Sequence, residues 1–132
     1  MINVKGVVHF SIRVSDLAVS RRFYTEIVGL KLVRDATPIG MVFLQAGDDH
    51  VILTKSELPI QRSKTDSRRS HHAFKVDADQ YDAIKAFITS KGVNIFEEED
   101  RKTGVFVGRQ CYFYDPDGTV LEISEWDGTS VL

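Results

Sequence analysis

The run Tyr112-Phe113-Tyr114-Asp115-Pro116-Asp117-Gly118-Thr119-Val120-Leu121-Glu122 reads as strand, tight turn, strand. Tyr-Phe-Tyr favours extended backbone. Asp-Pro-Asp-Gly is turn chemistry: proline presets φ and glycine accepts a positive one. Val120 to Ile123 resumes an extended run that carries a carboxylate, Glu122, among apolar neighbours. A glutamate in a half-buried strand is costly unless it is paired or bound to a metal.

An earlier stretch, Phe43 to Leu53, repeats this one in register with Phe113 to Ile123. The repeat extends outward. His9-x-x-Ile12-x-Val14 is answered by His71-x-x-Phe74-x-Val76, and the helix-stopping Gly29 by Gly92. Between these landmarks the apolar periodicity predicts strands over Val7–Val14, Leu30–Arg34, Met41–Ala46 and His50–Thr54. The second half repeats them over His71–Val76, Val93–Phe96, Val105–Tyr114 and Thr119–Trp126. Helices are predicted over Asp16–Val28, capped by Ser15-Asp16, and over Asp77–Lys91. The charged run Glu97–Lys102 reads as a solvated loop. Lys55–Ser70, rich in Lys and Arg without periodicity, reads as a connector between halves, with a lid over a site as the alternative. Asp127–Leu132 carries no pattern.

A repeat fixes architecture before any single motif does. Each half is a βαβββ module, about 4–55 and 70–126, within a single domain over 1–132. The expected class is α+β: two tandem modules forming a cupped mixed sheet with helices outside. Phe10, Ile12 and Val14, and His72, Phe74 and Val76, face the helices. The concave face receives His9, His71 and, by alternation, Glu122.

Two histidines and one carboxylate suit a divalent transition metal with open coordination positions. The competing reading makes His9 and His71 hydrogen-bonded strand histidines and Glu122 a buried ion-pair partner. His71 and His72 compete for the ligand role; the repeat register selects His71 and sends His72 to the core side.

Composition excludes some classes. The 132 residues carry net charge −2, with 42% hydrophobic residues and one cysteine, Cys111. The charge balance draws the chain neither to nucleic acid nor to anionic membrane. A lone cysteine makes neither an internal disulfide nor a thiolate zinc cluster, which fits a cytoplasmic setting. There is no signal-peptide pattern and no membrane-length apolar run.

From Val4 to Trp126 the chain resembles the vicinal oxygen chelate superfamily, which includes glyoxalase I, bleomycin-resistance proteins, fosfomycin-resistance transferases and type I extradiol dioxygenases. The residues that carry the resemblance are His9 with Val14-Ser15-Asp16-Leu17, Phe23-Tyr24 to Gly29-Leu30, His71-His72-Ala73-Phe74-Lys75-Val76, and Tyr112 to Glu122. The resemblance implies a divalent metal (Fe, Mn, Zn or Ni) held by His9, His71 and Glu122. It implies a small oxygen-chelating substrate and a lyase, isomerase, thiol transferase or oxygenase reaction. A fourth ligand of glyoxalase I would fall at Ile52, which cannot ligate, so the set looks more like that of the transferases and dioxygenases. His50, two before Ile52, and Tyr112 are the proton-transfer or positioning candidates. Ser11, Arg13 and Phe43 are the substrate-lining candidates. The acidic segment Ile123–Thr129 stands where the transferases are basic, which counts against a phosphonate substrate. For a single module pair of this size the resemblance implies a homodimer with sites at the protomer interface. The alternative function is a metal-independent protein that sequesters a planar small molecule, such as an antibiotic, through Phe43, Tyr112 and Trp126.

Overall fold

The structure, a computed structural model, describes residues 1–61 and 69–132. The central part of the connector or lid proposed for Lys55–Ser70 lies outside the described residues. The chain divides into two compact units, Met1–Gln61 and Arg62–Leu132. The modules expected at 4–55 and 70–126 lie inside them.

The first unit begins with β1 (His9–Val14) and α1 (Leu17–Arg22). Asp16 caps α1, accepting from the Val19 amide at 3.0 Å, which satisfies one orphan donor of the first turn. The helix was expected to run unbroken to Val28. It instead widens over Phe23–Ile27 into a π turn, in which the Val28 amide reaches the Phe23 carbonyl at 3.1 Å. The wide turn keeps Tyr24 wholly buried. Gly29, at φ +86°, ends the segment in a conformation that favours glycine. β2 (Lys31–Ala36), β3 (Met41–Ala46) and β4 (Asp49–Lys55) follow. The sheet order is β1-β4-β3-β2, with β1 parallel to β4 and the other pairs antiparallel. Ile12, Val14, Val42, Leu44, Val51 and Leu53 form the buried side together with Leu17 and Tyr24. Phe10, expected on that face, is 50% exposed.

The second unit copies this plan. β5 (His71–Lys75) leads into a short 3₁₀ turn and α2 (Tyr81–Ser90), which stops at Gly92. β6 (Glu97–Arg101), β7 (Gly108–Tyr114) and β8 (Val120–Ser124) complete the order β5-β8-β7-β6, with β5 parallel to β8. The expected strand over Val93–Phe96 and loop over Glu97–Lys102 exchange places. Val93–Phe96 has no strand, and the acidic run is the edge strand. Charges are tolerated there because an edge strand has one side free of pairing and deters further pairing. Leu121, Ile123, Cys111 and Phe113 pack on the side of Tyr81 and Ile88.

The two hairpins differ by one residue at the turn. Phe43 pairs with Ile52, whereas Tyr112 pairs with Glu122. Phe43 therefore corresponds to Tyr112, not to Phe113. The extra residue is absorbed in the Asp115–Thr119 turn, where Asp115 Oδ1 accepts from the Asp117 and Thr119 amides.

Candidate metal centre

In the second unit, alternation puts His71, Tyr112 and Glu122 on the face of the sheet opposite α2. Tyr112 pairs with Glu122 across β7 and β8, and Glu122 pairs with Ala73, two residues beyond His71 on β5. The His71 and Tyr112 rings meet edge-to-face with centroids 5.8 Å apart. Phe96 lies 6.3 Å from Tyr112 and stacks on Tyr114 at 4.4 Å. The same face carries a polar row. Glu99 Oε2 accepts from Gln110 Nε2 at 2.9 Å and from Arg101 Nε at 2.8 Å. Sequence reasoning missed this row because it read Glu97–Lys102 as a loop. Read as a strand, the same residues alternate Glu97, Glu99 and Arg101 to one side.

Glu122 is the anomaly. It is 7% exposed, yet among the described residues its carboxylate makes no hydrogen bond or ion pair. The nearest cation shown to feel its charge is Arg101, without a direct ion pair between them among the described residues. Its oxygens are not sealed from solvent, because Ser20 Oγ is the one side-chain polar atom among the described residues that is both fully buried and without a hydrogen-bond partner.

His72 points the other way. It is half-buried, and burial pushes its imidazole below the ordinary histidine range, with the neighbouring His71 adding to the effect and Asp115 opposing it. It serves the core side, as the register predicted.

In the first unit, His9 and His50 are direct neighbours across the parallel β1–β4 pair. Both are exposed, and neither makes a hydrogen bond among the described residues, which leaves their nitrogens free. Ser11 shares this face and exchanges a 2.8 Å hydrogen bond with Thr54. Arg13 pairs in register with Thr54, and Phe43 lies beside Ile52. Ile52 occupies the position that Glu122 holds in the second unit. His9 and His50 are thus neighbours in the first unit, and His71 and Glu122 share a sheet face in the second. Among the described residues no three His, Cys, Asp or Glu side chains cluster closely enough to hold a metal.

The family model of the Glyoxalase/Bleomycin resistance protein/Dioxygenase superfamily matches residues 6–123. This chain belongs to that superfamily. Among its relatives, a glutathione transferase FosA of Serratia marcescens is 30% identical over 115 residues, covering 87% of this chain and 77% of the relative. A metallothiol transferase FosB of Staphylococcus epidermidis is 28% identical over 120 residues, covering 91% and 83%. The fosfomycin resistance protein FosX of Listeria monocytogenes superposes with a TM-score of 0.76 at 21% identity, covering 94% of this chain and 93% of that one. A second crystal structure of that FosX, with Mn(II) and sulfate, gives a TM-score of 0.72.

Membership places the chain among metal-dependent enzymes that act on small molecules, and the second unit supplies two donors of the right chemistry on one sheet face, His71 and Glu122. Imidazole and carboxylate are the donors that borderline divalent cations take. Glu122 is a largely buried carboxylate in the second unit, and His9 is an exposed imidazole in the first. No helix of the described chain is long and apolar enough to cross a membrane.

Proposed function

We propose that the chain is a divalent-metal enzyme whose ligands are His9, His71 and Glu122, acting on a small molecule with two neighbouring oxygens. One observation carries the reading: Glu122, nearly buried and without a hydrogen-bonding partner, shares a sheet face with His71 and Tyr112. When bound, the metal (Fe, Mn, Zn or Ni) supplies Lewis acidity to a chelated oxygen. The protein's own groups do the rest. His50, beside His9, is the proton-exchange group for the substrate. The Tyr112 hydroxyl orients a substrate oxygen. Ser11, Arg13 and Phe43 line the approach on the first unit.

Thiol addition is the favoured reaction, because the relatives near 30% identity are thiol transferases by name. Isomerisation, lyase chemistry and extradiol oxygenation are the alternatives the superfamily offers. The working form is a homodimer. A cytoplasmic setting accords with Cys111, a buried free thiol.

The test is metal content. Protein purified without added metal should carry a first-row divalent ion. His71→Ala should lose it, and His72→Ala should retain it at a lower melting temperature. The opposite pattern overturns the ligand assignment.

A second reading, metal-independent capture of a planar compound, draws on the aromatic group of Phe96, Tyr112 and Tyr114. It predicts that a planar drug quenches protein fluorescence equally in wild type and in His9→Ala.

A further inference from the structure

We propose that His9 and His50 form a two-imidazole site for a transition-metal ion that prefers nitrogen donors, such as Zn(II), Ni(II) or Cu(II). The site lies wholly within the first unit. It goes beyond the three-ligand reading and shares only His9 with it.

The backbone builds the pair. His9 opens β1, an edge strand, and its direct partner on the inner strand β4 is His50. Neighbouring strands lie about 4.7–4.9 Å apart, and register partners send their side chains to one face. The two imidazoles therefore start side by side. A zinc–nitrogen bond is about 2.0–2.1 Å long, so the rings need only lean together to hold one ion. Both side chains are exposed, and neither makes a hydrogen bond among the described residues, so no such bond has to break. The second unit has no matching pair: the partner of His71 is Val120, and Glu122 stands opposite Ala73.

The surroundings hold the pair in place and favour a cation. His50 is flanked on its other side by Gln45 of β3. Ser11, the next residue of β1 on the same face, is tied to Thr54 of β4 at 2.8 Å, which fixes the two strands against each other. Asp48 and Asp49, both exposed, immediately precede His50, and their charge draws a cation to this end of the sheet. Two imidazoles also choose among ions. Affinity for nitrogen ligands climbs from Mn(II) through Ni(II) to Cu(II), with Zn(II) just below, whereas Mn(II) suits carboxylate and water. An ion on the pair occupies His9 and His50 together, and so excludes both from the three-ligand chemistry.

The test removes the donors of the second unit. Zn(II) is titrated calorimetrically into His71→Ala/Glu122→Ala protein, which keeps only the first-unit pair among the candidate ligands. That protein should bind one Zn(II) per chain, and Mn(II) at least tenfold more weakly. Adding His50→Ala should weaken Zn(II) binding at least tenfold. His50→Cys in the same background should restore it, because a thiolate ligates zinc in place of imidazole. Melting temperatures should match across the His50 series, since that side chain is exposed. The nearly isosteric His71→Asn/Glu122→Gln protein serves as a second background, so that a folding defect of the alanine variant leaves the comparison intact. A background protein that takes up no Zn(II) overturns the proposal, as does Zn(II) affinity that His50→Ala leaves unchanged.

Discussion

Glu122 and Glu125 lie three residues apart at one end of β8, and their surroundings give them opposite roles. Glu122, 7% exposed, makes no hydrogen bond among the described residues; Glu125, 13% exposed, receives three hydrogen bonds from Arg109 alone, through its amide, Nε and Nη2. Those donors hold the Glu125 carboxyl below its ordinary range, with burial opposing them. A depressed folded-state pKa stabilises the protein at pH values above the ordinary carboxylate range. The contribution is lost as pH falls through the folded-state value. Glu125→Gln should therefore cost about 1–2 kcal/mol at neutral pH, the scale of hydrogen bonds to a charged group. The gap from wild type should close as the pH falls through the folded-state value, and urea unfolding at neutral and at acid pH measures it. An equal gap at both would show that charge is not the cause. From sequence alone both glutamates were visible but not distinguishable. Alternation gave Glu122 its face, whereas the partner of Glu125 lies sixteen residues back on the neighbouring strand.

The elements were legible where apolar periodicity governs them and illegible where side-chain partners do. β3 was read to the residue, Met41–Ala46, because its buried side is uninterrupted. β6 was missed because four acidic residues in a row have poor strand propensity. What makes Glu97–Arg101 a strand is tertiary: the Tyr81 hydroxyl and Lys85 on α2 both bond Glu98, and Gln110 bonds Glu99. The π turn after α1 was likewise invisible, since one extra residue in a helical turn leaves the apolar set nearly unchanged. Two substitutions separate these contributions. Tyr81→Phe removes one donor from Glu98, which keeps Lys85, and should cost about 1 kcal/mol. Leu44→Ala, emptying a fully buried position of β3, should cost roughly 2–5 kcal/mol. Denaturant midpoints at constant slope measure both. A Tyr81→Phe loss as large as the Leu44→Ala loss would mean that β6 depends on that hydroxyl far more than one hydrogen bond allows.

At the scale of the whole molecule, the sequence repeat explains both what the chain keeps and what it lacks. Each unit has a lead-strand histidine, His9 or His71, and a hairpin position for a carboxylate. Only the second unit fills it, with Glu122 where the first has Ile52. The proposed ligand set takes His9 from the first unit and His71 and Glu122 from the second. In a homodimer those donors come either from one chain or from two, and a mixing experiment tells them apart. His9→Ala and Glu122→Ala should each abolish Mn(II) binding alone. If the ligands come from different chains, a mixed dimer of the two variants has one site with both lesions and one with none. Random reassortment makes about half of the dimers mixed, each with one intact site of two, so about a quarter of all sites should recover metal. If the ligands come from one chain, every site in every dimer carries a lesion and mixing restores nothing. We expect the recovery, because a homodimer with a site at the protomer interface is the arrangement the superfamily resemblance implies. Counting Mn(II) bound per chain after unfolding and refolding the two variants together decides between them, and a monomer in sedimentation would remove the shared-site alternative altogether.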